Sequence, residues 1–182
     1  NISLIATFTQ QYNWQLYIPG LYMREVTYDP SLDLIYKTTP KTNLFISVDH
    51  QSNGHGGPNE RSWHRIIGGF EYRSNSFYTK SSVWTIFLKD TVYKKNNPNI
   101  VHYLGHTQFI LSYKLKNLVS SIEIQNIESL LQRGYVQASL SYPIWNEIRL
   151  FTQYFNGYGQ TLVEYDHKTQ AFGLGFSLGD WL

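Results

Sequence analysis

The chain has 182 residues, a formal net charge of +2 and no cysteine. That length bounds it to one domain, residues 1–182. The near-neutral charge carries no footprint of a nucleic acid or of a strongly acidic partner, and the missing cysteine excludes disulfides and thiolate metal sites. An apolar content of 42% excludes a disordered chain, while no run approaches the ~18 apolar residues of a transmembrane helix.

Helical periodicity of useful length is absent. Polarity instead alternates with period two, the signature of strands with two unlike faces. In Asn1–Tyr17, Ile2, Leu4, Ala6 and Phe8 oppose Ser3, Thr7 and Thr9. In Glu25–Tyr36, Val26, Tyr28, Leu32, Leu34 and Tyr36 oppose Glu25, Thr27, Asp29, Ser31 and Asp33. Asn43–Ser52 opens on the apolar face Leu44, Ile46 and Val48, and in Ser62–Arg73 Ile66, Phe70 and Tyr72 oppose Arg65, Glu71 and Arg73. Further on, Trp84, Ile86 and Leu88 read as one apolar face, and Phe109, Leu111, Tyr113 and Leu115 as another. A weaker segment spans Val119–Ile127. Then come Val136, Ala138, Leu140 and Tyr142; Ile148, Leu150 and Tyr154; and Phe172, Leu174, Phe176 and Leu178. Turn signals fall at Pro19-Gly20, Lys95 to Pro98, Pro143, Asn156-Gly157 and Asp166 to Lys168.

About ten strands result, several of nine residues or more, the length that crosses a bilayer when tilted. A sandwich would have to bury every apolar and aromatic face in one core, whereas a membrane barrel turns that face to lipid. The aromatic content of 16% suits the interfacial girdles of such a barrel. The expected fold is all-β, a transmembrane antiparallel up-and-down β-barrel. Its interior charges, Glu25, Asp29, Asp33, Arg65, Glu71, Arg73 and Arg149, are expected to form an internal ion-pair network rather than line an open pore.

One segment breaks the apolar stripe. Period two places His50 and Ser52 on the face of Leu44, Ile46 and Val48, and His64 in phase with Ile66 and Phe70. Polar groups on a lipid face cost free energy and point to function. A serine needs a base to take its proton, and that base needs a partner to fix its tautomer. Ser52 is therefore the candidate nucleophile, His50 the base and His64 the orienting partner. Backbone N–H groups at Ser52, Asn53 and Gly54 are candidate oxyanion donors. Most His and Ser residues are structural, however. His50, His55 and His64 with Glu60 or Asp49 could also hold a metal such as zinc, although the spacing matches no standard zinc pattern. His102, His106 and His167 read as ordinary surface residues.

The runs His50-Gln51-Ser52-Asn53-Gly54 and Arg61-Ser62-Trp63-His64-Arg65 resemble the active-site region of the outer membrane phospholipase A family. The likeness extends over nearly the whole chain, through Thr9-Gln10, Trp14-Gln15, Arg24-Glu25, Leu140-Ser141-Tyr142-Pro143, Arg149-Leu150-Phe151-Thr152-Gln153 and Gly157-Tyr158-Gly159. The resemblance implies a twelve-stranded barrel in a bacterial outer membrane, of which this chain, opening at Asn1 inside a strand-like segment, would supply the last ten strands. It implies phospholipase A1/A2 hydrolysis of membrane phospholipid with Ser52 and His50 in the family's catalytic positions; of the candidate oxyanion donors, Ser52 and Gly54 are the expected pair. The family's third member is an asparagine, and His64 stands in its place. The resemblance further implies Ca2+ on the main-chain carbonyls of His55 and Glu60, and a reversible homodimer with Gln10 at the contact. The family's partner-chain serine ligand has no match in the short connection Tyr17–Tyr22. Two other readings stay open: a passive barrel whose chemistry was weakened or lost with the asparagine, and a surface protein binding metal through the His55 loop.

Overall fold

A computed structural model describes residues 1–17, 19–20, 22–88 and 91–179. Among them ten strands form one antiparallel sheet in strict sequence order. They are β1 (Ile2–Gln15), β2 (Tyr22–Thr39), β3 (Thr42–Ser52), β4 (Ser62–Arg73), β5 (Phe77–Ile86), β6 (Thr107–Leu115), β7 (Leu118–Gln125), β8 (Tyr135–Trp145), β9 (Ile148–Gly157) and β10 (Thr169–Leu178). Each pairs with the next along the chain, which is the up-and-down barrel expected from the alternation. No described helix is long and apolar enough to cross a membrane; the chain crosses with strands.

The two faces divide as the period-two pattern demands. The outward apolar row includes Leu4 at 66% exposure, Leu44 at 48% and Leu174 at 69%. On the opposite face of the sheet Glu25, Ser47, Asp49 and Arg65 are buried. The lumen holds a polar cavity of about 560 Å³, crossed by charge pairs. The Arg65 guanidinium binds Asp49 through both oxygens, at 2.6 and 2.7 Å. It lies 3.9 Å from Asp29, and Lys80 lies 3.6 Å from Glu71. Of the seven charges expected to pair inside, Asp29, Arg65 and Glu71 do so, in two separate groups completed by Asp49 and Lys80, whereas Glu25 accepts from backbone amides and Asp33 from Ser31. Arg149 instead donates to the Ser141 hydroxyl and to the Asn117 carbonyl.

The ends of the barrel differ. At one end two-residue turns join β2 to β3, β6 to β7 and β8 to β9, with Lys116 and Asn146 in the left-handed conformation such hairpins use. At the other end the connections are long. The β5–β6 connection carries the helices α1 (Thr91–Asn96) and α2 (Ile100–Leu104). Together with the β9–β10 connection it builds the buried apolar cluster of Trp63, Ile86, Ile100, Leu104, Leu162 and Tyr165, with Tyr93, Tyr103 and Tyr158 packed on it.

Three positions depart from the sequence reading, the first two of them at this cap. Trp84 and Ile86 do not form a lipid-facing row with Leu88; both are buried on the lumen side, while Val83 is the exposed residue. Ile86 joins the cap, and the Trp84 ring lies 5.6 Å from the Arg65 guanidinium. Lys95 and Asn96 belong to α1 rather than to a turn, a helix too short to show a period. Pro143 lies inside β8, at a register irregularity beside Trp145, where a missing N–H is tolerated.

Candidate active site

β3 and β4 pair so that His50 stands directly opposite His64 and Ser52 directly opposite Ser62. Residues facing each other across an antiparallel pair share a face with Cβ atoms about 5 Å apart, so the two imidazoles must meet. They do: Nδ1 of His50 lies 3.0 Å from Nδ1 of His64, with ring centroids 4.3 Å apart. One Nδ1 donates and the other accepts, the tautomers deciding which. The Phe87 ring packs edge-on against His64, 5.9 Å between centroids. The Ser52 side chain makes no hydrogen bond among the described residues; apo catalytic contacts are commonly loose and tighten with substrate.

Behind this outer patch sits the lumenal clamp. Asp49 and Arg65 are themselves a register pair, adjacent to His50 and His64 on the opposite face. The Arg65 guanidinium lies 4.4 Å from the Trp63 ring, and Trp63 donates its indole N–H to Gln51 at 2.7 Å. The inner face therefore holds the register in which the two histidines meet.

After Ser52 the chain leaves the sheet in the loop 53–61. Gly54 has φ of +64°, and a Cβ there would stand 2.9 Å from Cε2 of Tyr28. Tyr28 in turn pairs with Ser52 on the other side of β3. Asn53 is buried and shapes the loop. Its backbone N–H donates to the Arg61 carbonyl at 3.0 Å, its Nδ2 to the Asn59 carbonyl at 2.8 Å, and its Oδ1 accepts from the Arg61 and His55 amides. The Asn53 amide is thus engaged and leaves the oxyanion set, whereas the Gly54 amide makes no hydrogen bond among the described residues. Two further anchors reach the loop from elsewhere. Asn97 donates to the Ser62 carbonyl at 2.8 Å and accepts from its amide at 3.2 Å. The fully buried Glu25 carboxylate accepts from Asn53 and from the Leu162 and Val163 amides, the latter two at 2.6 Å. Sequence phase put Glu25 on the inner face, but no local signal ties it to residues 137 positions away.

Substituting Gly54 by alanine tests how sensitive the loop is. The left-handed conformation costs a non-glycine residue about 1–2 kcal/mol, and the new methyl group meets Tyr28. The expected result is a folded barrel whose loop 53–61 is displaced and whose stability falls by about that amount. Circular dichroism and a urea titration on the same preparation check it.

The metal readings separate. Among the described residues no group of three or more His, Asp or Glu side chains is placed to hold a metal, so the His50, His55, His64 and Glu60 side chains do not form a zinc cage. The main-chain carbonyls of His55 and Glu60 are the oxygen donors that calcium accepts. Glu60 also accepts from Arg61 through its carbonyl, at 2.9 Å, and from Asn96 through its carboxylate. Two carbonyls fit calcium in kind and leave most of its six to eight positions to water or to a second chain. The connection Tyr17–Tyr22 includes Ile18 and Leu21, which lie outside the described residues. On the outer face of β1, Gln10 stands opposite Tyr28, and its Oε1 accepts from the Tyr12 hydroxyl at 3.0 Å.

Residues 1–178 match the family described as Phospholipase A1. The chain belongs to the phospholipase A1 family. The phospholipase A1 of Proteus vulgaris is 33% identical over 99% of this chain, and that of Escherichia coli strain K12 is 29% identical over the same share. The chain spans 63% of the length of both relatives. Among solved structures, outer membrane phospholipase A of E. coli superposes with a TM-score of 0.89 at 29% identity, covering 100% of this chain and 77% of that one. A Salmonella typhi outer membrane phospholipase, solved as a dimer with bound calcium, superposes with a TM-score of 0.88 at 29% identity over 99% of this chain and 72% of its own. The barrel and its outer-membrane character thus agree with the family, and the family is one of ester-hydrolysing lipases.

Proposed function

We propose that this chain carries the active site of an outer-membrane phospholipase that hydrolyses acyl esters of glycerophospholipids, with Ser52 as nucleophile, His50 as base and His64 as the residue that orients it. The observation that carries this reading is the Nδ1 to Nδ1 contact of 3.0 Å between His50 and His64, two residues from a serine on the same lipid-facing row. For His50 to accept a proton at Nε2, its Nδ1 must carry hydrogen. His64 then accepts that hydrogen at its own Nδ1 and holds its proton on Nε2. A histidine thereby does what an asparagine carbonyl does elsewhere in the family.

In the first half-reaction Ser52 Oγ attacks the ester carbonyl while its proton passes to His50 Nε2. The N–H groups of Ser52 and Gly54 face the oxyanion. Collapse transfers the proton from His50 to the leaving lysophospholipid oxygen and leaves the acyl group on Ser52. Water, deprotonated by His50, then releases the fatty acid. The His55 and Glu60 main-chain carbonyls would hold calcium, which would supply positive charge to the site. Gln10, with its amide nitrogen on the outer face, is the proposed contact of a homodimer. Ser52 lies at the end of the barrel with long connections, which in outer-membrane barrels is the extracellular one, and this supports a site facing the outer leaflet.

The test is fatty-acid release from phospholipid in detergent, with calcium or with a chelator. His64→Ala lowers kcat by about 10- to 100-fold, the usual loss when a functional imidazole loses its orienting partner, and His64→Asn recovers part of it. Equal rates for wild type and His64→Ala overturn the orienting role. The rate also falls at acid pH, because a proton added at His50 Nε2 leaves His50 no site to accept the Ser52 proton. A pH–rate profile flat through the imidazole range contradicts the assignment.

A further inference from the structure

A histidine directly opposite another histidine offers something the hydrolytic reading does not use. Imidazole nitrogen is a ligand for borderline divalent cations. Bonds of 2.0–2.1 Å place two nitrogens on one metal about 2.8 Å apart at a right angle and about 3.4 Å apart in a tetrahedron. The His50 and His64 Nδ1 atoms are 3.0 Å apart, inside that window. The ring planes are tilted by 32° with centroids only 4.3 Å apart, so the rings lie side by side with both Nδ1 atoms on the facing flank. Both side chains are half-buried and reachable from outside. Their backbones are fixed as a direct cross-strand pair, and the Asp49–Arg65 pair holds that register from behind. The chelate is therefore preformed and needs only the proton between the rings to leave that position.

We infer that His50 and His64 form a two-nitrogen binding site for Cu2+ or Zn2+ that switches the active site off. Binding needs no net proton release. The hydrogen between the rings moves from His50 Nδ1 to His50 Nε2, and both Nδ1 lone pairs then go to the metal. With Nε2 protonated, His50 can no longer accept the Ser52 proton. No third His, Asp or Glu side chain joins the pair among the described residues, so water fills the remaining positions and the site is reversible. Copper binds more tightly than zinc, and zinc more tightly than cobalt or manganese, as nitrogen sites do. Calcium, an oxygen-seeking cation, does not compete. The effect on rate rests on His50 being the base; the binding itself does not.

The experiment titrates Cu2+ and, separately, Zn2+ into the protein in detergent micelles, with calcium in excess and no chelator. Binding is read by electron paramagnetic resonance and calorimetry, and fatty-acid release is read in parallel. The expected result is one Cu2+ per chain with two-nitrogen coupling, and hydrolysis that is lost with the same midpoint as binding. His64→Asn and His50→Asn weaken binding at least about tenfold; His167→Gln, a change to an exposed histidine, leaves it as in wild type. The residual rate of His64→Asn, measured against its own metal-free value, no longer responds to Cu2+. Copper binding that His64→Asn leaves unchanged overturns the site, even where hydrolysis is intact. Histidine-dependent binding in a protein that hydrolyses nothing overturns the phospholipase reading and leaves the metal site standing.

Discussion

Protein carrying Ser52→Ala releases no fatty acid above background, a loss of about 10⁴-fold or more, the scale on which removal of a serine nucleophile acts. The size follows from chemistry rather than from binding. An alanine at 52 removes only a hydroxyl on the surface of a strand, so the barrel forms and lipid still reaches the site. What disappears is the covalent route, and the remaining oxyanion donors assist attack by water only weakly. Ser62 provides an internal control. It faces Ser52 across the β3–β4 pair, on the same side of the sheet, so Ser62→Ala changes the local surface as much. It should leave the rate within a small factor. A fluorophosphonate should label wild type and Ser62→Ala, but not Ser52→Ala. Label that persists in Ser52→Ala and disappears in Ser62→Ala would move the nucleophile one strand over.

Arg65→Leu destabilises the folded barrel by about 3–5 kcal/mol, the cost of leaving a buried charge without its partner. Its side chain and that of Asp49 are 10% and 5% exposed, so water screens the pair little. Removing the guanidinium leaves the adjacent carboxyl groups of Asp49 on β3 and Asp29 on β2 without the cation that both approach. It also takes away the cation stacked on Trp63 and Trp84. The double variant Arg65→Leu with Asp49→Leu should recover much of the loss, because replacing both members of a buried ion pair by apolar groups is often neutral. Urea titration of the micelle-bound protein, followed by tryptophan fluorescence, gives both midpoints. If the double variant is no more stable than the single one, packing rather than charge accounts for Arg65. Since the pair sits behind His50 and His64, the single variant also tests whether register governs chemistry, read as a drop in kcat at urea concentrations where the barrel remains folded.

Much of the candidate site was legible because a strand has only two faces. Period two alone put His50, Ser52 and His64 on the lipid side and Arg65 on the lumen side, and the structure keeps His50 and His64 paired on one face, with Arg65 buried on the other beside an Asp49 that the reading had not placed there. The same rule failed at β5. Trp84 and Ile86 are apolar, and an apolar residue in a barrel strand reads as lipid-facing, yet here they face inward onto a cap built by connections that close the lumen.

By itself the sequence determined the alternation, the tally of strands and the side on which each polar residue projects, since these follow from local geometry that every residue of a strand obeys. Only the tertiary structure decided that His50 meets His64 rather than a neighbour two residues away, because register depends on hydrogen bonds and inner-face packing between separate strands. It alone showed that the Asn53 amide is engaged by Arg61, that Asn97 grips Ser62 from a helical connection, and that Glu25 ties the loop after Ser52 to the segment around Leu162. Those contacts join residues far apart in the chain, and a buried carboxylate selects its partners by the space and unpaired N–H groups that folding brings to it.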